Sequence, residues 1–223
     1  LIGDSVQFSG SASVQATIAG TPADPTSTGT MLGEALRLAW VDQAVRLENG
    51  RLDAVLDDGV FVINELTFAG TPRVAPGDRR ALEGLISDRP FDVKAVGRIA
   101  LRTLTGSIGL KASQLPILQR ADRWMVVSGD AGITLTPDRA DLYAKLAVDG
   151  AYLNFNALRG GRALASDVVV KRPGAQAKPS ERAPVDVTLD VQADLGPRFY
   201  IEGAGLEARL AGASHADVLL PAQ

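Results

Sequence analysis

Few residues in this chain have the type and spacing to do covalent or metal chemistry. Ser5 beside Asp4 is a candidate nucleophile, His215 is the single histidine, and Asp57-Asp58 is the clearest pair of carboxylates. A serine hydroxyl attacks only when a base takes its proton and a third group orients that base. Zinc usually draws two or three ligands from His and Cys, and the chain has one His and no Cys. A thiolate metal site and a disulfide framework are therefore both excluded, and His215 reads as a solvated loop residue. Asp57-Asp58 precedes Gly59, a pattern that makes a turn before it makes a cation site. No G-x-x-x-x-G-K-[ST] or G-x-G-x-x-G phosphate loop occurs. The expectation is a chain that is not an enzyme and holds no cofactor and no metal.

Gly3-Asp4-Ser5 resembles the nucleophile block of GDSL-type esterases over three residues. That family pairs its serine with a late Asp-x-x-His, whereas His215 follows Gly212-Ala213-Ser214. Ser5 also opens a long alternating run, where such a nucleophile needs a turn into a helix.

The elements that would have to position any site are β-strands. From Ser5 to Ile18, Val6, Phe8, Ala12, Val14, Ala16 and Ile18 share one parity, while Ser5, Gln7, Ser9, Ser11, Ser13, Gln15 and Thr17 hold the other. Side chains alternate across a strand, so this run has one apolar and one polar face. The pattern returns at Leu36, Leu38 and Trp40; at Phe91, Val93, Ala95, Ile99 and Leu101; and at Ala131, Ile133 and Leu135. It is clearest at Leu142, Ala144, Leu146 and Val148 and at Val185, Val187, Leu189, Val191 and Ala193. Alternation of this kind marks half-exposed antiparallel strands.

Composition is that of a folded chain, with 46% hydrophobic and 22% charged residues over 223 positions. A formal net charge of −3 offers no basic face for phosphates, which argues against nucleic-acid binding. No apolar run approaches the ~20 residues that cross a bilayer as a helix. The opening Leu1, with no initiator Met and no leader, reads as an internal piece of a longer protein. Turn signals at Gly20–Pro25, Asp57–Gly59, Asp149-Gly150, Gly160-Gly161 and Leu195–Pro197 divide the runs into a meander within one continuous unit, 1–223. Asn49-Gly50 fits either a hairpin turn or a bulge, because the apolar parity changes across it. Two stretches break the pattern: 76–89, an irregular or short helical insertion, and 172–184, which reads as a mobile loop. A further helical turn is expected near Ser113–Ala121, limited by Pro116.

The usual fate of such strands is the core of a sandwich or closed barrel. Length and smoothness favour an open trough instead, since long runs of Val, Leu, Ala and Ile come with only 5% aromatics.

Several segments resemble the C-terminal region of the TamB family, within the AsmA-like group of bridge-like lipid transfer proteins. They are GDSVQFSGSASVQATIAGTPADP (3–25), RLENGRLDAVLDDGVFVINELTFAG (46–70), LPILQRADRWMVVSGDAGITL (115–135), LAVDGAYLNF (146–155), SDVVV (166–170) and VDVTLDVQADLGPRFYIEGAGLEARLAG (185–212). The most specific piece is the D-L-G…F-x-x-x-G-x-G-L-x-A-x-L pattern from Asp194 to Leu210.

The resemblance implies an all-β fold: a long, curved, antiparallel-rich sheet folded into a β-taco or half-pipe with an apolar interior. It implies a periplasmic location in a Gram-negative bacterium, as part of a protein anchored in the inner membrane. It further implies phospholipid as cargo and the outer-membrane barrel TamA as partner. On that reading the chain is a lipid-conduit segment, with about twelve strands spanning nearly ~60 Å. The expected groove lining is Val6, Phe8, Val14, Ile18, Leu36, Leu38, Trp40, Val93, Ile99, Leu101, Ile133, Leu135, Leu142, Leu146, Val148, Val187, Leu189, Val191, Phe199, Ile201, Leu206 and Leu210. The rival reading is a chaperone-like module that holds strands of outer-membrane proteins or autotransporters for assembly with TamA.

Overall fold

The computed structural model describes residues 6–21, 24–70, 74–83, 85, 90–156 and 186–220, and in them the chain forms one twelve-stranded sheet. Gly3-Asp4-Ser5, Val185 and the loop expected at 172–184 lie outside the described residues. Eight strands follow one another as an antiparallel meander: β1 (Val6–Thr21), β2 (Asp24–Trp40), β3 (Val45–Asp57), β4 (Val60–Gly70), β5 (Phe91–Ala100), β6 (Thr105–Arg120), β7 (Arg123–Leu135) and β8 (Arg139–Asn154). Then β9 (Asp186–Asp194) and β10 (Phe199–Gly203) pair in parallel with the first and second halves of β8. β11 (Leu206–Leu210) returns on β10, and β12 (Ala213–Leu220) returns on β9. The sheet is therefore ten positions wide, about 43 Å at 4.8 Å per step, narrower than twelve separate strands would make it. It does not close: β1 forms one edge and β11 with β12 the other. The sheet is antiparallel-rich as expected, and the parallel pairing of β9 departs from the antiparallel reading of that alternating run. Alternation reports a strand's faces and not its direction, and parallel pairing needs a dozen or more residues between the strands, a requirement met by the sequence separation of Asn154, where β8 ends, from Asp186, where β9 begins.

Irregularities keep the faces in phase. β3 runs straight through Asn49-Gly50, with Asn49 at φ 54° as a bulge, so Val45 and Leu47 before it share a face with Leu52, Ala54 and Leu56 after it. Ala35 (φ 49°) does the same for β2, Gln114 (φ 51°) for β6 and Asn64 for β4. The left-handed region costs an L-residue roughly 1–2 kcal/mol, so Ala35, Asn49 and Gln114 are held there by the ladders on both sides. The helical turn expected at Ser113–Ala121 does not form. Leu115, Pro116 and Leu118 pair with Val127, Val126 and Met125, and Pro116 is tolerated beside a bulge, where a missing N–H disturbs the ladder least.

β8 carries its bulge at Asp149, skipped between Gly150 opposite Val126 and Val148 opposite Val127. The Gln114 N–H donates to Ser128 Oγ (2.9 Å), whose hydroxyl donates to Asp149 Oδ2 (2.6 Å). Arg198, in the break between β9 and β10, donates to the Asp149 carbonyl at 2.7 Å. The bulges of β6 and β8 and the β9–β10 break are thus tied into one crease. Burial pushes the Asp149 carboxyl above its ordinary range, and the Ser128 hydrogen bond and the Arg198 charge oppose that only in part.

The sheet curls toward its apolar face. β3 and β6 stand three positions apart, yet approach within 8 Å between Cα atoms, and the Asp42 carbonyl accepts from Arg123 Nη2 of β7 at 3.2 Å. A flat sheet would hold β3 and β6 about 14 Å apart. Inside the curl, Leu36, Phe68, Phe91 and Val93 form one buried cluster, and Val127, Val148, Ala151 and Phe199 form a second; Leu115 packs against both. These clusters fill the half of the sheet nearer the Trp40–Val45 turn. Across the other half, Leu56, Phe61, Ile99, Ile133, Leu135 and Leu142 remain partly exposed.

A strap covers part of the opposite face. Trp124 Nε1 donates to the Val74 carbonyl (2.9 Å) and the Gly77 N–H donates to the Ala121 carbonyl (2.8 Å). These bonds lead into a 3₁₀ turn at Arg79–Leu82, within the stretch expected to be irregular or helical. Ala81, Trp124, Val126 and Tyr152 are buried together beneath it. Gly150 permits this contact, because a Cβ there would meet the Ala81 carbonyl oxygen at 2.3 Å. Arg80, paired within the strap to Asp78 (2.6 Å), holds the strap to the far edge through Glu207 and the Tyr200 ring (4.9 Å to its centroid).

Two outcomes follow from this packing. Trp124→Ala should lower the unfolding free energy by about 3–5 kcal/mol in urea titration, while Trp40→Ala, at a side chain 45% exposed, should cost under about 1 kcal/mol. Because Asp149 binds its proton more tightly in the folded state, stability should fall as pH rises from 3.8 through its raised folded value. Asp149→Asn should flatten that part of the stability–pH profile and gain on the parent chain at neutral pH.

Candidate ligand-binding face

Directly opposed residues of neighbouring strands project to the same side, so the register traces each face across the sheet. One row runs Val14, Met31, Ala54, Ile63, Gly97, Ile108, Ile133, Leu142 and Leu189, from β1 to β9. The next runs Ala12, Gly33, Leu52, Leu66, Ala95, Leu110, Ala131, Ala144, Val191 and Ala216, reaching β12. No polar side chain interrupts either row. On the reverse face, Lys94, Lys111, Asp130, Lys145, Gln192 and His215 stand in one line, with Lys111 Nζ 3.7 Å from Asp130 Oδ1.

The residues expected to line a groove fall on the apolar face with one exception. Val6, Phe8, Val14 and Ile18 of β1 oppose the same face of β2 as Leu36, Leu38 and Trp40. Val93 and Ile99 continue it on β5, Ile133 and Leu135 on β7, and Leu142, Leu146 and Val148 on β8. Val187, Leu189 and Val191 follow on β9, Phe199 and Ile201 on β10, and Leu206 and Leu210 on β11. Leu101 does not join them: β5 ends at Ala100, and Leu101 lies in the turn before β6, donating its N–H to the Gly59 carbonyl.

Burial divides the set. Leu36, Val93, Val148 and Phe199 are packed inside the curl, whereas Phe8, Val14 and Ile18 on the edge strand are 65%, 59% and 78% exposed. Between these extremes, Ile99, Ile133, Leu135, Leu142, Leu146 and Leu189 are half-buried. Sequence reading missed Met31, Leu52, Leu56, Phe61, Ile63, Leu66, Phe68, Ile108 and Leu110 of the same face. For most of them a bulge switches parity and hides the alternation. Ile108, Leu110 and Ala112, however, alternate cleanly with Ser107, Lys111 and Ser113, a signal that was there to be read.

Groups able to do chemistry gather elsewhere. His215 sits in β12 and not in a loop, 2.9 Å from Asp190 Oδ1 and 3.3 Å from Asp217 Oδ1, on the polar face. This is the one metal-capable grouping among the described residues, it is largely solvent-exposed, and its His215 Nε2 already shares a hydrogen bond with Asp190 Oδ1. A recess of about 490 Å³ opens beside the Trp40–Val45 turn, with Leu38, Trp40 and Leu47 alongside Arg37, Arg46 and Glu48 on its wall.

Among curated proteins and among solved structures, nothing matches the chain. Among the described residues, no helix is long and apolar enough to cross a membrane. The family model described as the TamB C-terminal domain matches residues 92–214, from the start of β5 into β12. A TamB domain implies a role in the translocation and assembly module, an outer-membrane assembly system of the Gram-negative envelope. With more than half of its length matched, the chain belongs to the TamB C-terminal domain family.

Proposed function

We propose that this chain is a periplasmic lipid-conduit segment, carrying phospholipid acyl chains along the apolar face of its sheet between the inner and outer membranes. The observation that supports this is the pair of uninterrupted apolar rows running transverse to the strands. Each acyl CH₂ taken from water onto such a surface gains about 0.8 kcal/mol. Rows that are aliphatic throughout present no deep trap, so a bound chain slides sideways at nearly constant energy. The face has two parts in this reading. Side chains around Phe68, Phe91, Val127 and Phe199 are spent on the protein's own packing. The half-buried side chains near Ile99, Ile133, Leu142 and Leu189 hold the lipid, with headgroups at the open rim.

The parent protein is anchored in the inner membrane and meets the outer membrane through the barrel TamA. No step of this function requires a catalytic residue, a metal or a cofactor, and the chain acts as a surface and not as an enzyme.

A photo-crosslinking residue tests this at Leu142 and Leu189, with Val93 as a buried control. Phospholipid adducts are expected at the first two and none at the third; adducts to a polypeptide client, or only intramolecular products, would contradict the reading. Leu146→Asp should reduce lipid transfer at least about tenfold, since a carboxylate on the apolar face, beside the two rows, costs more than the ~1.4 kcal/mol that a factor of ten requires. Retained β circular dichroism would show that the fold survives, and transfer at the parent rate would count against the conduit.

A further inference from the structure

The recess beside the Trp40–Val45 turn is not used by the conduit, which places acyl chains over the other half of the sheet. Its volume of about 490 Å³ lies in the range of small-ligand sites, roughly 300–1,000 Å³. Part of its lining is cationic. Arg46 faces Ala39 across the β2–β3 ladder and Arg37 stands two residues before Ala39, so the two arginines are diagonal neighbours on one face. Gln7 and Ser9 of β1 stand opposite Ala39 and Arg37 on that same face and add neutral donors. Among the described residues neither guanidinium has an ion pair or a hydrogen bond, whereas Glu48 beside them has a partner and Arg120 at the end of β6 is paired with Asp122. Another part of the lining is apolar and fixed. Val74 and Pro116 belong to it, and the Val74 carbonyl is held by Trp124 Nε1 at 2.9 Å. The recess lies among β2, β3, β6 and Val74, so its walls do not depend on what pairs with the outer side of β1.

We propose that this recess binds a phosphate ester with an apolar body, its phosphate oxygens on Arg37 and Arg46 and its apolar part against Trp40, Val74 and Pro116. Two like charges side by side on a sheet repel, and an anion between them removes that repulsion. Each guanidinium presents paired N–H donors that match two oxygens of one group. Two arginines therefore suit a phosphate, which has more free oxygen positions than a carboxylate when it is a monoester. A phospholipid headgroup and a soluble alkyl phosphate offer the same chemistry.

Calorimetric titration of the whole chain tests this with hexyl phosphate, with dihexanoyl phosphatidylglycerol below its micelle concentration, and with inorganic phosphate. Saturable binding of at least one ester is expected, with inorganic phosphate weaker by about tenfold or more. Binding of the diacyl ester alone assigns the site to a lipid headgroup, and binding of hexyl phosphate alone assigns it to a soluble ester. Arg37→Gln and Arg46→Gln, at exposed side chains, should each weaken binding about tenfold, while Arg98→Gln on β5 should leave it unchanged. Leu146→Asp should also leave it unchanged, so this site and the conduit fail separately. No saturable binding of either ester up to about 1 mM would overturn the proposal. So would inorganic phosphate binding as tightly as the esters, equal affinity in Arg37→Gln, Arg46→Gln and the parent chain, or loss of binding in Arg98→Gln or Leu146→Asp.

Discussion

Everything in this molecule depends on register. Side chains in a strand change face at every residue, so a slip by one position in any ladder would turn its apolar residues to water and its Ser, Lys and Asp residues inward. A sheet ten positions wide multiplies that hazard, because a face is continuous only if nine successive ladders keep phase. The chain manages this with bulges. Where the apolar parity of β2, β3, β4, β6 and β8 switches, an extra residue at Ala35, Asn49, Asn64, Gln114 and Asp149 switches it back in space. The same bulges bend and twist the strands they interrupt, so phase and curvature come from one device.

Curvature then divides the apolar face by use. Near the Trp40–Val45 turn the sheet folds far enough for its own side chains to meet, and Phe68, Phe91 and Phe199 fill the space. Farther along, the side chains are mostly aliphatic and half-covered. The strap on the reverse face stiffens β6, β7, β8 and β10 behind the packed half, through Trp124, Tyr152 and the Arg80 contacts. A curved wall with one end packed and the other open is what a surface for long apolar ligands requires: a rigid back and a face with area to spare.

Much of this was legible in the sequence where alternation is unbroken. β1, β5, β8 and β9 announce themselves, and with them an all-β chain and the parity of its apolar side. What stayed hidden did so for physical reasons. A bulge breaks the period that a linear reading follows, which concealed Met31, Leu52, Ile63 and Phe68, and left Asn49-Gly50 undecided between a turn and a bulge. The helical turn expected near Ser113–Ala121, limited by Pro116, gives way to β6 because the ladder that accommodates the segment is formed with β7 and is not a local property. Alternation has no direction, so the parallel pairing of β8 with β9 could not be read from it. Burial depends on how far the sheet curls, so Val93 and Leu135, alike in pattern, end in different surroundings: one is 4% exposed and the other half-buried.

The central claim is a single continuous apolar face whose half away from the Trp40–Val45 turn is open to apolar solutes, and a nitroxide scan along β8 from Ala140 to Val148 reads it directly. With oxygen as the apolar relaxing agent and a neutral nickel chelate as the polar one, accessibility should alternate every residue with the two agents out of phase. Oxygen should be favoured at Leu142, Ala144 and Leu146, and nickel at Asp141, Tyr143 and Lys145. Exclusion of both agents from the even positions would mean a sealed core, and two curves in phase would mean that the register described for β8 is wrong.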